Sequence, residues 1–116
     1  ILIGPGSLFT SVLATTAVPG IRRALSESRA RRVFVANVAN EKGDARGFGL
    51  VEHVDALLAH DVPVDVVLTT PGWTGSHPIP VPVMEAELAA ADGWSHDPEL
   101  LGRALSDLAR VGQEQR

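Results

Sequence analysis

The sequence contains no cysteine, and this absence removes several kinds of chemistry at once. Without thiols the chain forms neither disulfides nor thiolate metal sites, and no mechanism with a cysteine nucleophile is open to it. Long apolar runs are also missing. No segment approaches the roughly 20 residues of a membrane-spanning helix, and no basic segment precedes an apolar one near the start. The sequence therefore predicts no membrane insertion and no secretion, and we expect a cytoplasmic location.

An excess of positive charge is likewise absent. Ten Lys and Arg stand against 14 Asp and Glu, which gives a net charge of −4 and argues against a nucleic-acid partner. We interpret the local basic cluster as a solvated helix face and strand entry; it consists of Arg22, Arg23, Arg29, Arg31 and Arg32. With 116 residues, 45% of them apolar and 21% charged, the chain is typical of one globular domain spanning residues 1–116.

The apolar pattern predicts alternating strands and helices. Residues 1–3, 32–38 ("RVFVANV"), 64–70 ("VDVVLTT") and 81–88 ("VPVMEAEL") are strand-like, and the middle two lack polar alternation, as strands buried on both faces do. Helical spacing covers residues 8–25, with a break at Pro19 and Gly20, then residues 50–60, and a last helix capped by Asp97. The fold class is therefore α/β: an open, mainly parallel sheet with helices on both faces. In the broken helix we expect Ile21, Ala24 and Leu25 to face inward.

Ligands of open α/β sheets bind beyond the carboxyl ends of the strands. That rule places three segments at one edge of the sheet: residues 4–11, 37–49 and 69–77. The first, "GPGSLFTS", ends a strand and opens a helix, so its amides and hydroxyls are able to converge on an anion such as phosphate. It is neither a P-loop nor a Gly-x-Gly-x-x-Gly motif, and a tight turn with Ser7 as a hydroxyl cap is the alternative interpretation. The candidate residues here are Gly4, Gly6, Ser7, Thr10 and Ser11.

The second segment, "NVANEKGDARGF", offers an amide, a carboxylate and an aromatic ring to a nucleotide. The aromatic ring between two glycines suggests packing or stacking, and a solvated loop is the alternative. The candidate residues are Asn37, Gly43, Asp44, Gly47 and Phe48. The four histidines share no metal-ligand spacing, and no Ser-His-Asp set or carboxylate pair is assignable, so we predict no metal site and name no catalytic residue.

Taken in order, these segments resemble the gluconeogenesis factor YvcK family, whose fold is shared with the 2-phospho-lactate transferase (CofD) family. "GPGSLFTS" is similar to the family's Gly-Pro-Gly-Ser-Leu-Tyr-Thr-Ser loop, and "VPGI" follows at the same distance. "VFVANVANEKGDARGFG", "EHVDALLAH" and "HDPELLGRAL" are similar to its next strand and loop, next helix and closing helix. Phe9 and Phe48 stand where the family has tyrosines. The family's glycine-rich first loop is not matched, so the resemblance implies that this chain is the carboxyl-terminal part of the fold.

The resemblance implies a regulatory protein that binds a nucleotide sugar of the UDP-N-acetylglucosamine type and acts in carbon flux and cell-wall metabolism. Two alternatives remain open. One is a transferase that moves a phospho-lactate-type group onto a deazaflavin alcohol with Mg²⁺ bridging the phosphates; Gly6, Ser7 and Leu8 depart from the loop typical of those enzymes. The other is a structural or interaction module without activity. Because missing strands leave an unpaired sheet edge, we expect a homo-oligomer or docking to the missing amino-terminal half.

Overall fold

A computed structural model describes residues 1–38, 49–71 and 78–114, with side chains up to Val111. Within these ranges, four parallel strands form one sheet in the order in which they occur along the chain. They are β1 (Leu2–Ile3), β2 (Val33–Val35), β3 (Val66–Thr69) and β4 (Val83–Glu85). The predicted parallel sheet is confirmed. The last strand is shorter than the predicted 81–88, because the chain leaves the sheet after Glu85 and Ala89 instead makes an antiparallel bridge with His96.

The helices follow the predicted order. A π-helical turn (Leu8–Val12) continues directly into α1 (Leu13–Thr16), and α2 (Pro19–Glu27), α3 (Leu50–Ala59) and α4 (Pro98–Glu114) follow. The predicted break lies between α1 and α2, where Val18 is extended and Pro19 begins the new helix. A proline suits a first helical position because it lacks the N–H group that would have no partner there. None of the described helices is long and apolar enough to cross a membrane.

Helices cover both faces of the sheet, as predicted. On one face, Leu25 of α2 and Leu57 of α3 share a buried cluster with Phe34 and Val67. On the opposite face, α4 packs against the residues that alternate with these in the strands, through a cluster of Val35, Leu68, Ala104 and Leu108. The helices α2 and α3 connect β1 to β2 and β2 to β3. Both lie on one face because each right-handed crossover advances in the same direction along the sheet.

The expected inward face of α2 is only partly correct. Leu25 is buried, but Ile21 and Ala24 are exposed. The reason is the position of α2 next to β1, which is the edge strand of the described sheet, so no further strand lies beyond β1 for Ile21 to pack against.

An ion pair joins two neighbouring strands at their amino ends. Arg32, just before β2, donates from Nε to Asp65 Oδ2 at 2.9 Å and from Nη1 to the Leu25 carbonyl at 2.8 Å. The hydrogen bond from Arg32 lowers the pKa of the Asp65 carboxyl below its ordinary value. This pair holds β2, β3 and α2 together at the amino ends of the strands, which is the end of the sheet opposite to the candidate site.

Candidate functional site

The loop after β1 leaves the sheet at a position that only glycine fits well. Gly4 has φ +79°, a left-handed conformation that residues with a Cβ rarely adopt. A Cβ on Gly4 would also lie 2.9 Å from the Val35 carbonyl oxygen of β2. The backbone therefore passes closer to its neighbouring strand than any side chain allows, and this turn directs the loop across the carboxyl edge of the sheet.

Two of the predicted ligand segments meet at this edge. Asn37, just after β2, donates from Nδ2 to the Gly6 carbonyl at 3.1 Å. Ser11, in the π-helical turn, lies beside the same glycine, since a Cβ on Gly6 would be 3.2 Å from the Ser11 Cβ. The structure thus brings Gly6, Ser11 and Asn37 together, and the amide of Asn37 holds the loop in place.

The start of the helical segment lacks the hydroxyl cap of the alternative interpretation. Ser7 occupies the cap position, but its hydroxyl makes no capping hydrogen bond to the described helix. Its carbonyl instead accepts from the N–H groups of Ser11 (3.0 Å) and Val12 (2.9 Å), the second being the wider bond of a π-helix. The amides of Ser11 and Val12 therefore donate to the protein's own backbone and not to a ligand. A ligand would meet the half-buried Ser7 and the exposed hydroxyls of Thr10 and Ser11.

A residue that the sequence interpretation left aside lies on the other side of β2. His96 Nε2 is 3.0 Å from the carbonyl of Ala36, the residue that follows the strand. Because a carbonyl only accepts, this ring nitrogen is the donor. The segment before α4 therefore reaches over the carboxyl end of β2. Asp97 then caps α4 as predicted, accepting from the N–H groups of Glu99 and Leu100.

The turn before His96 is fixed by Asp92. Its carboxylate accepts hydrogen bonds from the N–H groups of Trp94 (2.8 Å) and Ser95 (3.0 Å) and from the Ser95 hydroxyl. These bonds, with that from the Trp94 N–H first, lower the pKa of the Asp92 carboxyl. The sequence signal was available, because Asp before Gly93 is typical of a turn in which the carboxylate binds the following amides.

A buried hydroxyl lies at the end of β3. Thr69 is the last residue of the strand and is 0% exposed. Its Oγ1 has no hydrogen-bond partner in the described part of the chain. The third predicted segment, residues 69–77, begins at this residue.

Several predicted residues lie outside the described ranges. These are the candidates of the second loop beyond Asn37, namely Gly43, Asp44, Gly47 and Phe48, and the remainder of the third segment, residues 72–77. Within the described residues, no group of three or more His, Asp or Glu side chains is arranged to hold a metal ion.

An apolar groove of about 370 Å³ runs along the free edge of β1. Its floor and walls come from β1, α1 and α2, and Ile1, Leu2 and Ile21 at its rim are exposed. Gly4, Pro5 and Ser11 also line this groove, so it adjoins the candidate loop after β1.

Comparison with known proteins gives one family and one fold. A family model described as 2-phospho-L-lactate transferase CofD matches residues 1–99. The gluconeogenesis factor of Halalkalibacterium halodurans is 45% identical over 60 residues, which is 52% of this chain and 19% of that protein. A putative gluconeogenesis factor of Aquifex aeolicus is 52% identical over 58 residues, which is 50% of this chain and 18% of that protein.

The fold is also found in a solved structure. The crystal structure of a UPF0052 family member from Bacillus halodurans superposes with a TM-score of 0.76 at 26% identity, over 90% of this chain and 42% of that one. The chain thus spans less than half of the solved structure, and its alignments cover under a fifth of these two curated relatives.

Proposed function

Because the chain belongs to the CofD family, whose curated members similar to it are named gluconeogenesis factors, we propose that it binds a nucleotide sugar of the UDP-N-acetylglucosamine type. On this proposal the chain acts in the cytoplasm, in the regulation of carbon flux and cell-wall metabolism, without catalysing a reaction. The observation that carries the proposal is the hydrogen bond from Asn37 to the Gly6 carbonyl. It joins two segments, each a candidate for ligand contact, at one edge of the sheet.

The loop of residues 4–11 is the proposed site of the diphosphate. It contains no acidic residue, and the first turn of the helical segment that follows contains none either. The amino end of a helical segment carries a partial positive charge, which favours an anion. In this proposal Asn37 is a positioning residue, since its amide group already donates to the loop. Gly43, Asp44, Gly47 and Phe48 frame the uridine or the sugar.

Isothermal titration of the 116-residue chain with UDP-N-acetylglucosamine tests the proposal. We expect binding heat from the wild type and none from Ser7→Trp, whose indole would fill the space beside Gly6. The matched control is Ser106→Trp, on the exposed side of α4 at the opposite face of the sheet. Ser106→Trp should bind as the wild type does. A wild-type chain that gives no heat and no thermal shift at millimolar ligand contradicts the proposal.

The description of the family model favours one alternative, a phospho-lactate-type transferase acting on a deazaflavin acceptor. Incubation of a nucleotide-activated phospho-lactate donor with the deazaflavin alcohol and Mg²⁺, followed by mass spectrometry, tests it. Product that is absent with Ser7→Trp would replace the regulatory proposal by the enzymatic one.

The free edge of β1 favours a further alternative, an interaction module. Leu2 is 53% exposed on an edge strand, and exposed strand edges next to apolar surface promote association. The partner would be a second copy of this chain or the part of the fold that the relatives contain and this chain does not. Sedimentation velocity tests self-association: we expect a dimer that Leu2→Lys converts to a monomer, and a wild-type monomer at 100 μM, roughly the range of weak dimers, speaks against it.

A further inference from the structure

The buried polar side chains of the described residues are few, and one of them differs from the others. They are Thr16, His53 and Thr69. The hydroxyl of Thr16 donates within its helix to the Val12 carbonyl at 3.0 Å. The ring of His53 has Nδ1 2.8 Å from the Gly49 carbonyl. The hydroxyl of Thr69 has no such partner.

A buried hydroxyl without a hydrogen bond destabilises the fold, whereas an apolar side chain of the same shape would not. Valine has that shape, and four of the neighbouring strand residues are valines: Val33, Val35, Val66 and Val67. The fold at this position is therefore compatible with valine, and the hydroxyl needs a reason other than packing.

The place of Thr69 in the sheet supplies one. Thr69 ends β3 at the carboxyl edge of the sheet, and its carbonyl already accepts a hydrogen bond from the Ala86 N–H at 3.0 Å. Its side-chain hydroxyl is therefore the group that could bond to a ligand. Because side chains alternate along a strand, Thr69 is on the same face as Val67, which packs with Leu57 of α3. It therefore lies on the same face as the helical segment that starts at Leu8.

The surrounding charge restricts what the hydroxyl would bind. In the strand register Thr69 is opposite Glu85 of β4, whose carboxylate disfavours a phosphate nearby. The proposed diphosphate loop follows β1, two strands away, which corresponds to about 10 Å. An extended ligand with its anion at Gly6 would therefore place an uncharged part near Thr69.

We propose that the Thr69 hydroxyl forms a hydrogen bond with an uncharged polar group of the ligand, either in the sugar or in the uracil ring. Thr69 is then the residue that selects this end of the ligand. The inference rests on the proposed nucleotide-sugar binding and adds a contact at the end of β3.

The test compares Thr69→Val and Thr69→Ser with the wild type in two measurements, thermal unfolding without ligand and titration with UDP-N-acetylglucosamine and with UDP. We expect Thr69→Val to unfold at the same temperature as the wild type or a few degrees higher, and to bind UDP-N-acetylglucosamine about tenfold more weakly. Thr69→Ser keeps the hydroxyl and should bind within about threefold of the wild type. An affinity loss with both ligands assigns the contact to the uracil ring, and a loss with UDP-N-acetylglucosamine alone assigns it to the sugar.

Thr16→Val is the matched control, since it removes a buried hydroxyl that has a partner. It should lower the unfolding temperature and leave the affinity unchanged. A Thr69→Val variant that binds as tightly as a binding-competent wild type overturns this inference and leaves the proposed function standing. A Thr69→Val variant that unfolds at a clearly lower temperature overturns it too, because the hydroxyl would then have a structural role. A wild type that binds neither ligand overturns both.

Discussion

Replacing Gly4 by alanine tests whether the turn after β1 is as constrained as its geometry indicates. An alanine there has to adopt φ near +79°, which costs about 1–2 kcal/mol for a residue with a Cβ. Its Cβ would also lie 2.9 Å from the Val35 carbonyl oxygen, and relieving such a contact between two backbone segments costs about 1–3 kcal/mol more. Together these effects predict a loss of about 2–5 kcal/mol in the free energy of unfolding.

Thermal and urea unfolding followed by circular dichroism measure this loss. For a domain of this size we expect Gly4→Ala to lower the unfolding temperature by about 8–20 °C. Gly102→Ala is the matched control, because Gly102 lies within α4 and a Cβ there would have no neighbour within 4 Å. It should raise the free energy of unfolding by about 0.5–1 kcal/mol. If Gly4→Ala unfolds at the wild-type temperature, the close approach of the loop to β2 is wrong, and with it the geometry of the candidate site.

Three further predictions concern the ion pair of Arg32 with Asp65, the turn after α3 and the hydrogen bond between Asn37 and Gly6. Asp65→Asn should destabilise the chain by about 1 kcal/mol at pH 7. Because the folded-state pKa of Asp65 is lowered, its contribution to stability is present above the unfolded pKa of about 4 and is lost as the pH falls through the folded value. The free energy of unfolding, measured with urea, should therefore fall in acid for the wild type and fall less for the variant. Asp61→Gly should raise the free energy of unfolding by about 0.5–1 kcal/mol in the same assay, since Asp61 lies two residues after the end of α3 and has φ 60°; a destabilised variant would contradict this. Asn37→Ala removes the hydrogen bond to Gly6 and should weaken UDP-N-acetylglucosamine binding about three- to tenfold by titration; unchanged affinity would show that the loop holds its shape alone.

The fold could be predicted largely because its two central strands, β2 and β3, are almost entirely apolar. The segments "RVFVANV" and "VDVVLTT" lack polar alternation, and a strand buried on both faces requires helices on both sides of the sheet. Asp97 and Pro98 marked the start of α4 for an equally local reason, a side-chain acceptor followed by a residue without an N–H group. Such signals can be recognised in the sequence because they depend on only a few neighbouring residues.

The details that sequence could not supply depend on residues far apart in the chain. The alternative interpretation gave Ser7 a hydroxyl cap, yet the segment begins as a π-helix, in which the Ser7 carbonyl accepts hydrogen bonds from two N–H groups. His96 contacts Ala36 from 60 residues away, and nothing local in the sequence marks that contact. The missing partner of the Thr69 hydroxyl is also visible only once the strands are packed. The sequence pattern predicts at which edge of the sheet the candidate site lies, but it does not predict the contacts that form the site.

The central claim is that the carboxyl edge of the sheet, beginning at the loop after β1, binds a nucleotide sugar. A titration of the ¹⁵N-labelled chain with UDP-N-acetylglucosamine, followed by NMR, tests it residue by residue. We expect the largest shifts of backbone amide resonances at Gly6, Ser7 and Asn37, and no change in the resonances of Arg32 and Asp65 at the opposite edge. Shifts confined to the opposite edge, or no shifts at millimolar ligand, would contradict it.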